Sequence, residues 1–449
     1  MAVPDANDSV PEYAVGLATP RRPPKAHRGP RHALVESFAV FCGAYIAGLA
    51  LLTPLDLGTL SVGPALETTI VIFNLPEAMM AAAALAVGAA SFAAVAGARF
   101  AWSLCTICAL LLLVDSALPA SRMGVGTLEL RNFVDCLAAG AMLGALAAVS
   151  LHFRGRAPAY LSGVLTGIVI GAGVEIPKGE ASTLGRLAAG VPPTWLLAFT
   201  AIMLGVCLYW HRTKVARTAS TMLLGFPIAP ILAITVVLIT IIEVSDWLDR
   251  HRAGLSGNIA GVILIVLAGW AAALLLPGRD GILTLQALAV GATAFTVVTV
   301  PRPAWIVPCV FAAVALGLTL GSRWPASLLS ITASIAASLF GIFVTDATDA
   351  MVPVIGCLLL ALVAGYCFGS TVTRSVVGTV QAIAALVVPY SLVALRGRGL
   401  SSRGHMERFY RDPHQGVGHT PGILVAVIAA LCGLGVVLVR WLRPTNHPT

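Results

Sequence analysis

Uninterrupted apolar runs constrain this chain more than any other feature. Ile228–Ile242, Ile259–Leu276 and Ile423–Val439 contain no charged residue, and comparable runs recur along most of the sequence. A helix needs about 20 mostly apolar residues to cross the hydrocarbon of a bilayer. A spanning β-strand instead alternates apolar and polar residues over roughly 10 positions, a pattern these runs lack. Composition agrees: 11% of the 449 residues are charged and 58% are hydrophobic, against roughly 25% charged in soluble domains. One soluble core of this size does not hide so much apolar surface. The sequence therefore specifies an all-α polytopic membrane protein.

On the length criterion the chain divides into about 14 transmembrane helices. They lie near 34–56, 75–97, 100–118, 132–152, 158–176, 194–211, 226–247, 258–277, 281–300, 303–321, 325–345, 351–370, 375–395 and 421–442. The mildly apolar segment 57–74 reads as an interfacial helix or an extension of the first span. Residues 1–32 carry the run Arg21-Arg22-Pro23-Pro24-Lys25, then Arg28 and Arg31. That stretch is too proline-rich for a helix and too poor in apolar residues for a core, so it is expected to be a disordered, basic cytoplasmic arm. It does not read as a cleavable signal peptide, because its apolar stretch starts late and no small-residue cleavage site follows.

The formal charge of +8 is distributed as a topology signal rather than as a nucleic-acid footprint, so no nucleic-acid partner is expected. With the N-terminus cytoplasmic, 16 Lys and Arg residues fall inside and 12 outside, the sense of the positive-inside rule. Five of the 12, Arg396, Arg398, Arg403, Arg408 and Arg411, sit in one late loop. The expected location is the cytoplasmic (cell) membrane, with the lipid bilayer as the first partner. All nine cysteines fall in apolar runs, which argues against a disulfide framework and reads Cys105 and Cys108 as packing residues. The late loop also carries His405, Asp412, His414 and His419, at spacings that fit no standard zinc site. No P-loop and no G-x-S-x-G elbow occur. No cofactor, metal or enzymatic activity is therefore expected.

The sequence also repeats itself. Gly97-Ala98-Arg99-Phe100-Ala101-Trp102-Ser103-Leu104 follows the second span, and Gly321-Ser322-Arg323-Trp324-Pro325-Ala326-Ser327-Leu328 follows the tenth. Arg154-Gly155-Arg156 leads into a helix with Gly163 and Gly167, as Arg374 leads into one with Gly378 and Ala382. The offset is about 220 residues in both cases, as a duplication requires. The expected organisation is an N-terminal six-helix bundle at 33–212, two linking helices at 226–277 and a C-terminal six-helix bundle at 281–445.

This plan resembles the fourteen-helix branch of the major facilitator superfamily. The resemblance spans residues 33–445 and includes Gly97 and Arg99 in the hallmark turn, which here lacks its acid. It also includes Leu55-Asp56-Leu57-Gly58-Thr59, Arg131 followed by Gly140 and Gly144, and the series Gly163, Gly167, Gly171 and Gly173. Val134-Asp135 stands where the family has Gln-Gly, and the proline of the antiporter motif is missing. The resemblance implies a secondary transporter working by alternating access. Gly97, Arg99, Gly321 and Arg323 would then form gating turns.

Ionisable side chains inside a membrane are costly and mark function. Asp56, Glu77, Asp115, Arg131, Asp135, Glu175, Glu243, Asp246 and Asp346 all fall near the outer ends of spans, where a solvated vestibule also accounts for them. Arg131 and Asp135 are one helical turn apart, so they can pair, and protonating Asp135 would release Arg131. Asp56 after Pro54 and Glu175 before Pro177 sit at proline-perturbed helix ends, where freed carbonyls can line a cavity. These four are the candidates for transport and proton coupling. The Gly163, Gly167, Gly171 stripe is accounted for by close helix packing. Few charges at mid-membrane favour a small hydrophobic or amphipathic substrate, with protons as a possible coupling partner. The alternative is a non-catalytic membrane subunit of a secretion or cell-envelope assembly, with the basic arm docking a partner or anionic lipid.

Overall fold

A computed structural model of the chain describes residues 30–52, 75–118, 125–153, 155–171, 187, 192–212, 228–250, 255–277, 279–297, 303, 305–345, 351–371, 375–397 and 420–443. The basic arm before residue 30, the segment 57–74 and the histidines of the late loop lie outside them. Among the described residues are fourteen long helices: α1 (Pro30–Leu52), α2 (Leu75–Ala96), α3 (Ala98–Ala117), α4 (Val125–Ser150), α5 (Ala157–Gly171), α6 (Thr194–His211) and α7 (Ile228–Arg250); then α8 (Leu255–Leu275), α9 (Asp280–Val297), α10 (Ile306–Arg323), α11 (Ser327–Thr345), α12 (Met351–Ser370), α13 (Val376–Gly397) and α14 (Thr420–Leu442). Eight are long and apolar enough to cross a membrane, and six more are apolar but shorter in their described parts. The chain is a multi-pass membrane protein.

The outward faces show what solvates it. On α3, Ile107, Leu110, Leu111 and Val114 form one exposed face, while Trp102, Cys105, Ala109 and Leu112 are buried on the other. Apolar residues thus cover both faces, as a helix in lipid requires. Exposed Trp195, Trp247 and Trp305 lie at one end of their helices; exposed Trp324 and Trp441 lie at the opposite end. Two girdles of this kind match the two membrane–water interfaces. The second girdle lies at the end that also carries Arg31, Arg99, Arg212, Arg279, Arg323 and Arg443, here termed the arginine end.

Six helices on each side pack by the same scheme. In the first half α1 packs on α5, α4 and α6, α2 on α4, and α3 on α4 and α6. In the second half α9 packs on α13, α12 and α14, α10 on α12, and α11 on α12 and α14. Small residues make the closest seams. A Cβ on Gly140 or Gly144 would strike the α2 backbone at Ala82 and Ala86, and one on Gly365 or Gly369 would strike α10 at Val314 and Leu318. Gly163 and Gly167 bring α5 against α1 in the same way, at Phe41 and Tyr45. Helices in lipid associate through such close approach rather than through a hydrophobic drive.

The second bundle adds a polar seam. Ser327, Ser330, Ser334 and Ser338 of α11 are buried, while Leu328, Leu329 and Leu339 are exposed. Gln286 of α9 donates to the Ser327 carbonyl at 2.9 Å and to Ser330 Oγ at 2.6 Å, and Thr293 meets Ser338 at 3.2 Å. Of the two remaining helices, α7 bridges the halves and α8 belongs to the second. α7 rests on α2 and α13, while α8 rests on α9 and α14. The bundles meet chiefly where α13 touches α2, and where α10 and α12 touch α5.

Candidate functional site

At the end opposite the arginines, Arg131 projects from the first turns of α4 and is buried. Its guanidinium pairs with the Asp115 carboxylate of α3, donates to the Asp115 main-chain carbonyl and reaches the Leu118 carbonyl at 3.2 Å. Those carbonyls belong to the C-terminal end of α3, which attracts cations, and the Asp115 carbonyl also accepts from the Leu118 N–H at 3.0 Å. Asp115 therefore supplies a counter-charge from a neighbouring helix, besides the Asp135 expected from the i,i+4 spacing. The sequence marks Asp115 as an outer-end acid; only tertiary packing makes it the partner.

Asp135, one turn beyond Arg131, is 4% exposed, and Asn132 beside it is 6% exposed. Asn132 Oδ1 and Asp115 Oδ2 have no hydrogen-bond partner. Asn132 and Leu143 are 11 residues apart, as are Asp135 and Leu146, so each pair shares one face of α4 after three turns. The Leu143 carbonyl accepts from Tyr160 of α5 at 3.2 Å, and Leu146 packs on Gly43 of α1. Three turns further along α4, Leu146 thus meets α1 and the Leu143 main chain meets α5. Asp56 and Glu175, which follow the ends of those two helices, lie outside the described residues.

Of the expected gating turns, the first is a true one-residue link. Gly97 separates α2 from α3 at φ 91°, a left-handed conformation that glycine adopts without strain, with Arg99 exposed beside it. In the second half the link has moved. Gly321 and Arg323 are in the last turn of α10, and the link itself is Trp324-Pro325-Ala326. Gly321 packs against Tyr366 and Ser370 of α12, and the Tyr366 hydroxyl holds the link by donating to the Trp324 carbonyl at 2.7 Å. Its glycine serves packing, whereas Gly97 serves the turn.

A buried polar cluster around Glu36 is not marked in the sequence. Glu36 of α1 is 1% exposed and ion-pairs with Arg156, which precedes α5. His211 Nε2, at the end of α6, stands 3.6 Å from the same carboxylate, and its Nδ1 meets the Cys207 carbonyl at 2.8 Å. Arg156 also donates to the Val149 carbonyl of α4 at 3.3 Å and lies over the Phe153 ring. Trp102 of α3 packs on His211, with ring centroids 5.7 Å apart. Five helices of the first bundle are tied at their arginine ends. The available signal was an acid a few residues inside a span on the arginine-rich side, where an exposed partner is the ordinary expectation. At the same end of the second bundle the tie is uncharged at its centre: Thr371 donates to Gln286 Oε1 at 2.6 Å, and Arg440 of α14 reaches Ser327.

No protein-family model matches the sequence, and no curated protein matches it. Solved structures do. The crystal structure of an auto-inhibited POT family peptide transporter aligns over 94% of this chain and 99% of its own, at 14% identity and a TM-score of 0.51. The partially occluded, inward-open xylose transporter XylE from E. coli aligns over 93% and 98%, at 12% identity and a TM-score of 0.49. The first of these carries the conclusion, which concerns the fold alone: this chain shares the fold of that POT family peptide transporter.

Proposed function

We propose that this protein is a secondary active transporter of the cytoplasmic membrane that moves a small amphipathic molecule by alternating access between its two bundles, coupled to protons. The observation that carries the reading is the buried Arg131–Asp115 pair with the buried Asp135 one turn away on α4. One guanidinium beside two carboxylates makes a proton switch: neutralising Asp135 weakens its hold on Arg131 and leaves Asp115 the dominant partner. Asp56 and Glu175, in the chain just past α1 and α5, complete the proposed coupling set. Residues 33–212 and 281–445 would be the rocking units, 226–277 their link, and Gly97, Arg99, Gly321 and Arg323 the turns at their arginine ends. The excess of arginine at that end supports a cytoplasmic N-terminus.

The test is uptake or release of amphipathic fluorescent dyes by proteoliposomes, with and without an imposed proton gradient. The expected result is gradient-driven dye flux that Asp135→Asn uncouples while Asp135→Glu retains. Gradient-dependent flux unchanged in Asp135→Asn would sink the coupling assignment.

A further inference from the structure

Cations gather, without acids, in the chain around the arginine ends of α1 and α6. Residues 13–35 hold five Lys and Arg and no acid, and residues 191–242 hold three and no acid. Elsewhere at that end Arg279 is followed by Asp280, and Arg323 is the only Lys or Arg between 303 and 373. Among the described residues, Arg31 and Arg212 represent the two runs, and both are exposed. The acid that follows the first run, Glu36, is buried and faces Arg156 and His211. The surface charge is therefore left positive.

The two helix ends touch. His32 meets Trp210 edge to face, with ring centroids 4.5 Å apart. Arg212 lies over the Tyr209 ring at 4.1 Å and donates to its hydroxyl at 3.3 Å. A guanidinium has five N–H donors, so that bond takes one of them. Further into the membrane the same seam is apolar and faces outward. Leu34 and Phe38 of α1 are exposed, as are Phe199, Ile202 and Tyr209 on one face of α6. Phe38 meets Phe199 across the seam, with centroids 5.9 Å apart. From Arg212 to Phe199 the helix runs about 20 Å, more than the half-thickness of the hydrocarbon, about 15 Å.

We infer that the outer seam of α1 and α6 is a docking site for an anionic phospholipid of the leaflet at the arginine end. Arg31 and Arg212 take the phosphate, and Phe38, Phe199 and Ile202 line an acyl chain. Charge selects the occupant. Basic residues just outside a spanning helix favour anionic headgroups by about fivefold in affinity each, whereas a zwitterionic headgroup brings its own ammonium to the arginines. The planar fork of a guanidinium also matches two phosphate oxygens. A soluble anion satisfies the arginines but leaves the aromatic seam unused. The site requires only that the chain spans a bilayer, and it stands or falls independently of transport.

The experiment uses the full chain, delipidated in a neutral detergent, and native mass spectrometry to measure the affinity of the first lipid bound. The probes are phosphatidylglycerol and phosphatidylcholine with identical chains, and glycerol 1-phosphate as the headgroup without its tails. Phosphatidylglycerol is expected to bind about tenfold or more tightly than phosphatidylcholine, a preference that shrinks as salt rises. Arg31→Gln/Arg212→Gln is expected to remove most of that preference. Phosphatidylcholine binding and the melting temperature are expected to stay unchanged, since both side chains are exposed. Arg323→Gln, which removes an exposed arginine from the same end of the second bundle, is expected to retain the preference. Equal affinity for the two lipids, or equal loss of preference in Arg323→Gln and the double variant, would overturn the site. Glycerol 1-phosphate binding as tightly as phosphatidylglycerol would also overturn it, leaving an anion site without a lipid.

Discussion

Glu36 shows how much a single buried charge organises. Its carboxylate, 1% exposed, faces Arg156 and His211 from two other helices. A buried ion pair contributes little net stability over an apolar pair of the same shape, but removing one partner strands the other charge. Glu36→Gln is therefore expected to destabilise the first bundle by about 3–5 kcal/mol, read as a drop in thermal unfolding temperature in detergent. The double variant Glu36→Gln/Arg156→Gln is expected to recover part of that loss, and equal melting of single and double variants would contradict the pairing. Individual partners of this kind were not legible in the sequence. Arg131 displays an obvious i,i+4 neighbour, yet Asp115 arrives from a neighbouring helix, and Glu36 finds its partner 120 positions away. Spacing along one helix is local information; which helices lie side by side is not.

Several helices, by contrast, were legible nearly to the residue, although α4 begins at Val125 rather than near 132 and α1 runs from Pro30 to Leu52 rather than 34–56. The expected span 194–211 coincides with α6, and 351–370 with α12. The polar seam between α9 and α11 was not legible, because serine, threonine and glutamine barely lower the hydropathy of a run that holds them. The linking pair was expected, but not how it is fastened. Arg443 at the end of α14 donates to the Leu274 carbonyl at 2.7 Å and to the Leu276 carbonyl, satisfying the C-terminal end of α8. Trp270 of α8 donates to the Leu431 carbonyl of α14 at 3.2 Å. α8 is thus bolted to the second bundle, while α7 lies across both α2 and α13. Charged hydrogen bonds contribute about 1.5–3 kcal/mol each, so Arg443→Ala is expected to speed amide hydrogen exchange in the last turns of α8 by about tenfold or more. Exchange in α1–α6 is expected to stay unchanged; a uniform rise across both bundles would mean that Arg443 supports the fold generally rather than this joint.

At the scale of the whole molecule, the main contacts of the first half recur in the second, which adds the seam between α9 and α11. What the repeat does not specify is how the halves touch. That depends on side chains unlike between the copies, such as Phe41 of α1 against Phe311 of α10. A change of access from one side of the membrane to the other requires the bundles to rotate against each other, so contacts across the junction must open or slide while those within each bundle persist. The α2–α4 and α10–α12 seams, with backbone against backbone at glycine, are poor places for such motion. The aromatic contact between α1 and α10 joins only two rings and can be broken. Replacing Phe41 and Phe311 with cysteine, in a chain whose half-buried Cys309 is first changed to alanine, tests this directly. Bridging the new pair with a short thiol crosslinker is expected to stop dye flux in proteoliposomes, and a reducible linker to restore it on reduction. A crosslinked protein that transports at the uncrosslinked rate would show that α1 and α10 stay together through the cycle, and the moving surface would have to lie elsewhere.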